Sequence, residues 1–106
     1  MAMTPEGKVK KEVKKILQAY NAWYHFVANN GYGNSGCPDV LVCVGGLFLA
    51  IEIKADATKQ PTALQLGQLQ GIEQKGGAAL VVHKDNLDEL RRVLETMRYT
   101  QIVRNQ

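Results

Sequence analysis

Cysteine is scarce in this chain of 106 residues, which contains only Cys37 and Cys43. Two thiols cannot form a disulfide framework, and Cys43 lies inside an apolar run where a reduced, buried side chain is expected. Long hydrophobic runs are missing too. The longest uncharged apolar stretch, Val40 to Ile51, falls far short of the roughly 20 residues that a membrane-spanning helix needs. The first residues, Met1-Ala2-Met3-Thr4-Pro5-Glu6, carry no apolar signal core. These absences lead us to expect a soluble protein of a reducing cytoplasm with no membrane partner. At 45% hydrophobic and 22% charged residues, the composition is that of an ordinary globular protein rather than a disordered or collagenous one. A single domain over 1–106 is expected, with a small core that self-association would help.

Charge is absent where it would be most noticed. The sum is modest, 13 Lys+Arg against 10 Asp+Glu for a net charge of +3, and is a common solubility margin. Lys8, Lys10, Lys11, Lys14 and Lys15 crowd one end, and Arg91, Arg92, Arg98 and Arg104 the other. From Asn21 to Ile53 there is no Lys or Arg, and the acidic residues of that span are Asp39 and Glu52, with Lys54 directly after. An ionised side chain in an apolar segment is costly unless it is paired or metal-bound, so these two carboxylates need a reason.

Periodicity predicts the order α-β-β-α-β-α, a mixed sheet flanked by helices. Thr4 can cap a helix with Pro5 at its first position, and Val9, Val13, Ile16, Leu17, Tyr20, Trp23, Tyr24 and Val27 recur at helical spacing, so one long helix is expected to end near Asn29-Asn30-Gly31. Val40–Val44 and Leu47–Ile53 read as a β-hairpin turned at Gly45-Gly46. Pro61-Thr62 opens a second helix carrying Leu66, Leu69 and Ile72, with Gly67 and Gly71 placed for close approach. Ala78 to Val82 is a further strand, parallel to its predecessor, and Asn86 with Glu89 reads as the capping box of a last helix whose stripe is Leu87, Leu90, Leu94 and Met97. His25 reads as a packed helix residue, and Cys37 and Cys43 form no zinc motif.

The two-residue turn sets the register. Val44 then faces Leu47, Val42 faces Leu49, and Asp39 faces Glu52, with opposed side chains roughly 5 Å apart on one face. Phe48, Ala50, Glu52 and Lys54 share that face, and Leu49, Ile51 and Ile53 take the other. Two like charges repel unless a hard divalent cation lies between them, and a lysine one step along can then touch a phosphate or a water.

Gly36-Cys37-Pro38-Asp39, then Glu52-Ile53-Lys54, then Pro61-Thr62-Ala63-Leu64-Gln65 resemble the PD-(D/E)xK nuclease superfamily, and within it the VRR-NUC (virus-type replication-repair nuclease) branch. The resemblance runs from about Glu12 to His83. It implies a restriction-endonuclease-like core and Mg²⁺- or Mn²⁺-dependent cleavage of DNA leaving a 5′ phosphate. It also implies a homodimer and branched substrates such as Holliday junctions, or duplex DNA. On this resemblance Asp39 and Glu52 are metal ligands, together with the Ile53 carbonyl, while Lys54 orients the water and Gln65 supports the site. A glutamate of the first helix completes the family site, and Glu12 fits by position better than Glu6 in the first turn. From the residues alone, Glu12 is equally a surface partner of Lys8 or Lys15. One or two cations are both compatible.

Other features are less specific. Gly31-Tyr32-Gly33-Asn34-Ser35-Gly36 matches GxGxxG, but it does not lead from a strand into a helix, so no nucleotide cofactor is expected. It reads as a plain loop, or as one in which Asn34 and Ser35 touch a phosphate and Tyr32 stacks on a base. Lys8, Lys11 and Lys15 read either as a solvated face or as phosphate contacts. The alternative to the nuclease is a catalytically silent nucleic-acid-binding domain of the same fold.

Overall fold

The computed structural model describes residues 3–28 and 36–105. Helix α1 (Pro5–Ala19) is followed by strands β1 (Trp23–Phe26), β2 (Val40–Val44) and β3 (Leu47–Ile53), helix α2 (Ala63–Gln74), strand β4 (Ala78–Val82) and helix α3 (Leu87–Arg104). The four strands lie in the order β1-β2-β3-β4. The first three pair antiparallel and β4 runs parallel to β3, as expected of a hairpin followed by a helical crossover.

The first helix is shorter than its periodicity suggests. It starts as expected, with Thr4 Oγ1 accepting from the Gly7 N–H at 3.0 Å and Pro5 in the first turn. It stops at Ala19 because Asn21 turns left-handed (φ 53°) and the Ala22 N–H reaches back to the Leu17 carbonyl at 3.1 Å. This is the Schellman geometry that Asn tolerates better than most residues. The aromatic run beyond it, Trp23-Tyr24-His25-Phe26, becomes the edge strand β1. Its alternation of exposed and half-buried residues has the period of a strand, and aromatic side chains suit a half-covered sheet. His25 is therefore an exposed strand residue and not a packed helix residue.

The hairpin has the expected register, with Val44 opposite Leu47, Val42 opposite Leu49 and Val40 opposite Ile51. Gly45 and Gly46 both adopt positive φ (64° and 78°), and a Cβ on Gly45 would collide with the Met97 carbonyl of α3. Only glycine allows both the turn and that contact.

One face of the sheet carries the core. Val9, Val13, Ile16 and Leu17 of α1 and Leu90, Leu94 and Met97 of α3 close over Val40, Val42, Leu49, Ile51, Ile53 and Val82. Helix α2 covers part of the opposite face and buries only Leu69 fully. Leu66 is exposed, and Gly67 and Gly71 have nothing within 4 Å of a Cβ, so these glycines do not serve a close helix approach. Cys43 is on this thinly covered face and is exposed rather than buried.

Asn86 precedes α3 without capping it. Its Oδ1 accepts from the His83 N–H at 2.7 Å and its Nδ2 donates to the Val81 carbonyl at 2.8 Å, so the side chain ties the helix start to the end of β4. The helix continues to Arg104, whose Nη1 donates to the Gly45 carbonyl at 3.2 Å. Among the described residues, no helix is long and apolar enough to cross a membrane.

Candidate active site

The end of β3 meets the start of α2 around a small buried polar cluster. Asp39 directly precedes β2, and its Oδ2 accepts from the Ile53 N–H at 2.7 Å, which continues the hairpin pairing through a side chain. That bond fixes the carboxylate against β3 next to Glu52. Glu52 is only 2% exposed. Its Oε1 accepts from Gln65 Nε2 at 2.7 Å and lies 3.8 Å from Lys54 Nζ. Its Oε2 is buried with no hydrogen-bond donor.

Gln65 explains the Pro-Thr-x-x-Gln start of α2. Thr62 Oγ1 accepts from the Gln65 N–H at 3.2 Å, and Gln65 Oε1 accepts from the Thr62 N–H at 2.8 Å, a reciprocal capping box. The same Oε1 accepts from Lys54 Nζ at 3.0 Å, and the amide nitrogen reaches Glu52. A capping glutamate would bring a further negative charge to Glu52. The amide holds the carboxylate and the ammonium apart while bonding to both.

Gly36 sets the height of this arrangement. It is buried with φ 73°, and a Cβ there would lie 2.6 Å from the Leu64 carbonyl and 2.8 Å from the Gln65 nitrogen. The chain leading to Asp39 is thus pressed against the first turn of α2. The motif letters drew attention to Pro38-Asp39 in the sequence. The role of Gly36 is visible only in this contact, and the one sequence signal for it was its place at the head of Gly36-Cys37-Pro38-Asp39, two residues before Pro38.

Glu52 holds its proton far more tightly than an ordinary carboxyl, its pKa rising from 4.5 to about 8. Burial is the largest cause, followed by the charge of Asp39 and by the hydrogen bond that a protonated Glu52 can donate to the Asp39 carboxylate. Lys54 opposes the shift, and the charge of Glu6 adds to it. Two adjacent carboxyl groups and an unsatisfied buried oxygen make a donor set suited to a hard cation.

The structure thus brings Asp39, Glu52, Lys54 and Gln65 together. Glu12 is not brought into this cluster; it is half-buried, with its Oε1 3.4 Å from Lys15 Nζ. The first-helix carboxylate whose field acts on Glu52 is Glu6. Among the described residues, no group of three or more His, Cys, Asp or Glu side chains converges at metal-binding distance. Lys8 and Lys11 are exposed on α1, and Arg91 and Arg98 are engaged along α3 with Asp88 and Glu95. Tyr32, Asn34 and Ser35 lie outside the described residues.

Among solved structures, the chain is similar to a VRR_NUC domain, with a TM-score of 0.67 and 24% identity, covering 90% of this chain and 95% of that one. The likeness establishes the fold. A four-stranded mixed sheet flanked by helices, of restriction-endonuclease-like form, is the α/β class expected from the sequence. No protein-family model matches the chain, and no curated protein matches it.

Proposed function

We propose that the protein is a divalent-metal-dependent DNA endonuclease that hydrolyses phosphodiester bonds, with branched DNA as its preferred substrate and a homodimer as its working form. The observation that carries this reading is the orphaned, buried Oε2 of Glu52 beside Asp39. A carboxylate in that position is unfavourable in isolation and favourable with a cation, so the residues present fit the Mg²⁺ or Mn²⁺ that such nucleases use.

Asp39 and Glu52 would hold the ion, with the Ile53 carbonyl adjacent. When bound, the cation supplies a Lewis acid that offsets charge on the scissile phosphate and acidifies a water. The remaining work falls to the protein. The Ile53 N–H orients Asp39 through Oδ2, leaving Oδ1 for the ion. Gln65 fixes the rotamer of Glu52 and steadies Lys54. Lys54, half-buried and held by Gln65 Oε1 and the nearby Glu52 carboxylate, directs its ammonium at a non-bridging phosphate oxygen or at the attacking water. Two carboxylates of the first helix are candidates to complete the set. The field of Glu6 at Glu52 favours it over Glu12, which is paired with Lys15.

The exposed face supports self-association. Trp23, Cys43 and Phe48 lie opposite one another on three adjacent strands, with Trp23 61% and Phe48 39% exposed. Such an apolar stripe is typical of a protein contact surface. A monomer in sedimentation at micromolar concentration would remove the dimer from this proposal.

The deciding experiment is a panel of junction, flap, single-stranded and duplex DNA incubated with Mg²⁺ or Mn²⁺, using the parent and Asp39→Asn. Cleavage by the parent is expected and should be lost in the variant. Thermal unfolding gives a second readout, since the cation should raise the Tm of the parent and not that of Asp39→Asn. A parent that cuts none of these DNAs with either ion would refute the nuclease reading and leave the binding domain.

A further inference from the structure

At the same edge of the sheet as the proposed active site, on the α1–α3 side, lies an open cavity of about 270 Å³. Val9, Ala55 and Leu87 give it an apolar lining, and Lys8, Lys84 and Glu12 also border it. Its position follows from the topology. Strands β3 and β4 are parallel, so both finish at the same edge, and the Lys54 N–H donates to the Val82 carbonyl at 2.9 Å across that edge. Ala55 is one residue past Lys54, and Lys84 is two past Val82. The carboxyl end of parallel strands is where open α/β sheets usually receive ligands.

Its chemistry is selective. Neither Lys8 nor Lys84 forms an ion pair among the described residues, although Lys84 acts at longer range on Asp56. Two ammonium groups with no ion-pair partner among the described residues, beside an apolar surface, suit an anion with a flat apolar body. Glu12 offers an acceptor to an N–H on the edge of a base. The volume lies below the usual range of about 300–1,000 Å³ for a small-molecule pocket. It is too small for a helix or a duplex, and of the size of one unstacked nucleoside.

We propose that this cleft receives an unpaired nucleotide of the DNA strand next to the bond being cut, its base on Ala55 and Leu87 and its phosphate between Lys8 and Lys84. The inference rests on the nuclease reading and refines its substrate. A base stacked and paired in a continuous duplex cannot enter, so DNA with an unpaired nucleotide at the cut is the preferred substrate.

Two measurements separate this inference from the reading beneath it. In the first, the metal-free parent is titrated with the dinucleotide pTpT and followed by amide NMR. Saturable shifts at Ala55, Lys84 and Leu87 are expected, weakened about tenfold by the double substitution Lys8→Ala and Lys84→Ala. Lys14→Ala, on α1 but outside the cleft lining, should leave the titration unchanged. In the second, cleavage of a continuous duplex is compared with cleavage of the same duplex carrying one unpaired nucleotide. The parent should prefer the latter, and the double substitution should reduce that preference. DNA cleavage without shifts at the cleft, or the same shifts produced by inorganic phosphate alone, would overturn the cleft and leave the nuclease standing. Shifts at the cleft without any DNA cleavage would uphold nucleotide binding and overturn the nuclease.

Discussion

The two faces of β3 are built from alternate residues of one strand, yet they differ in almost every physical respect. Leu49, Ile51 and Ile53 point to α1 and α3 and are sealed from solvent. Phe48, Ala50, Glu52 and Lys54 point to the face that α2 covers in part, where Leu64 and Leu66 remain 55% and 43% exposed. The first face gains stability from apolar burial. The second spends some of it, because a buried carboxylate with an unsatisfied oxygen opposes folding. The same strand can hold Glu52 in an unfavourable place because its other side is anchored by the core.

The largest expected effects come from exchanging insults between the faces. Ile51→Ala empties a fully buried site and should cost about 2–5 kcal/mol in chemical denaturation, a large share of the roughly 5–15 kcal/mol available to a small domain. Glu52→Gln removes the charge and keeps the shape. It should fold at least as well as the parent while losing DNA cleavage by about 10³-fold or more. If Glu52→Gln unfolds as readily as Ile51→Ala, or cuts DNA at the parental rate, the division between the faces is wrong.

That division was legible in the sequence because a strand alternates with a period of two and the Gly45-Gly46 turn fixes the register. The same reasoning brought Asp39 opposite Glu52, and the motif brought in Lys54 and Gln65. It failed at the first helix, where Tyr20, Trp23, Tyr24 and Val27 fit a helical period as well as a strand's. The choice was made by Asn21 in the left-handed region and by pairing to β2, a partner distant in sequence. Exposure was the other gap. Cys43 and Leu66 have core-like neighbours along the chain, yet both are exposed, because Cys43 lies on the sheet face that α2 covers only in part and Leu66, on α2 itself, is left outside that contact. The contact of Gly36 with α2 joins residues nearly 30 positions apart and leaves no periodic trace.

A medium-sized effect tests what links the second face to its helix. Gln65→Ala deletes one arm of the capping box and both side-chain contacts to Lys54 and Glu52. Thr62 still caps the helix through the backbone N–H of residue 65, so the cost in stability should stay below the roughly 1 kcal/mol of a lost N-cap, whereas loss of a group that orients metal ligands commonly costs about 10–100-fold in activity or metal affinity. Gln65→Glu separates the two roles, since it can keep the cap but places a negative charge against Glu52. Stability near the parent's with cleavage as low as that of Gln65→Ala is expected. Parental cleavage in Gln65→Glu would show that Gln65 serves the helix alone.

The smallest effect is a slope. The Glu52 carboxyl titrates near 8 in the folded protein and near 4.5 when unfolded. A group that binds its proton more tightly when folded contributes its full stability below about 4.5 and loses it as pH rises toward about 8. Denaturant midpoints of the metal-free protein should therefore fall across that window and level off above it. Glu52→Gln imitates the protonated carboxyl and should flatten the fall. Ile51→Val, on the sealed face, should lower the curve by a near-constant amount and keep its slope, because the side chain has nothing to titrate. A divalent cation should act in the opposite direction, since it requires the ionised carboxylate and its affinity climbs as the proton leaves. Equal slopes in the parent and Glu52→Gln would mean that the proton is held elsewhere, and that the second face bears no more electrostatic strain than the first.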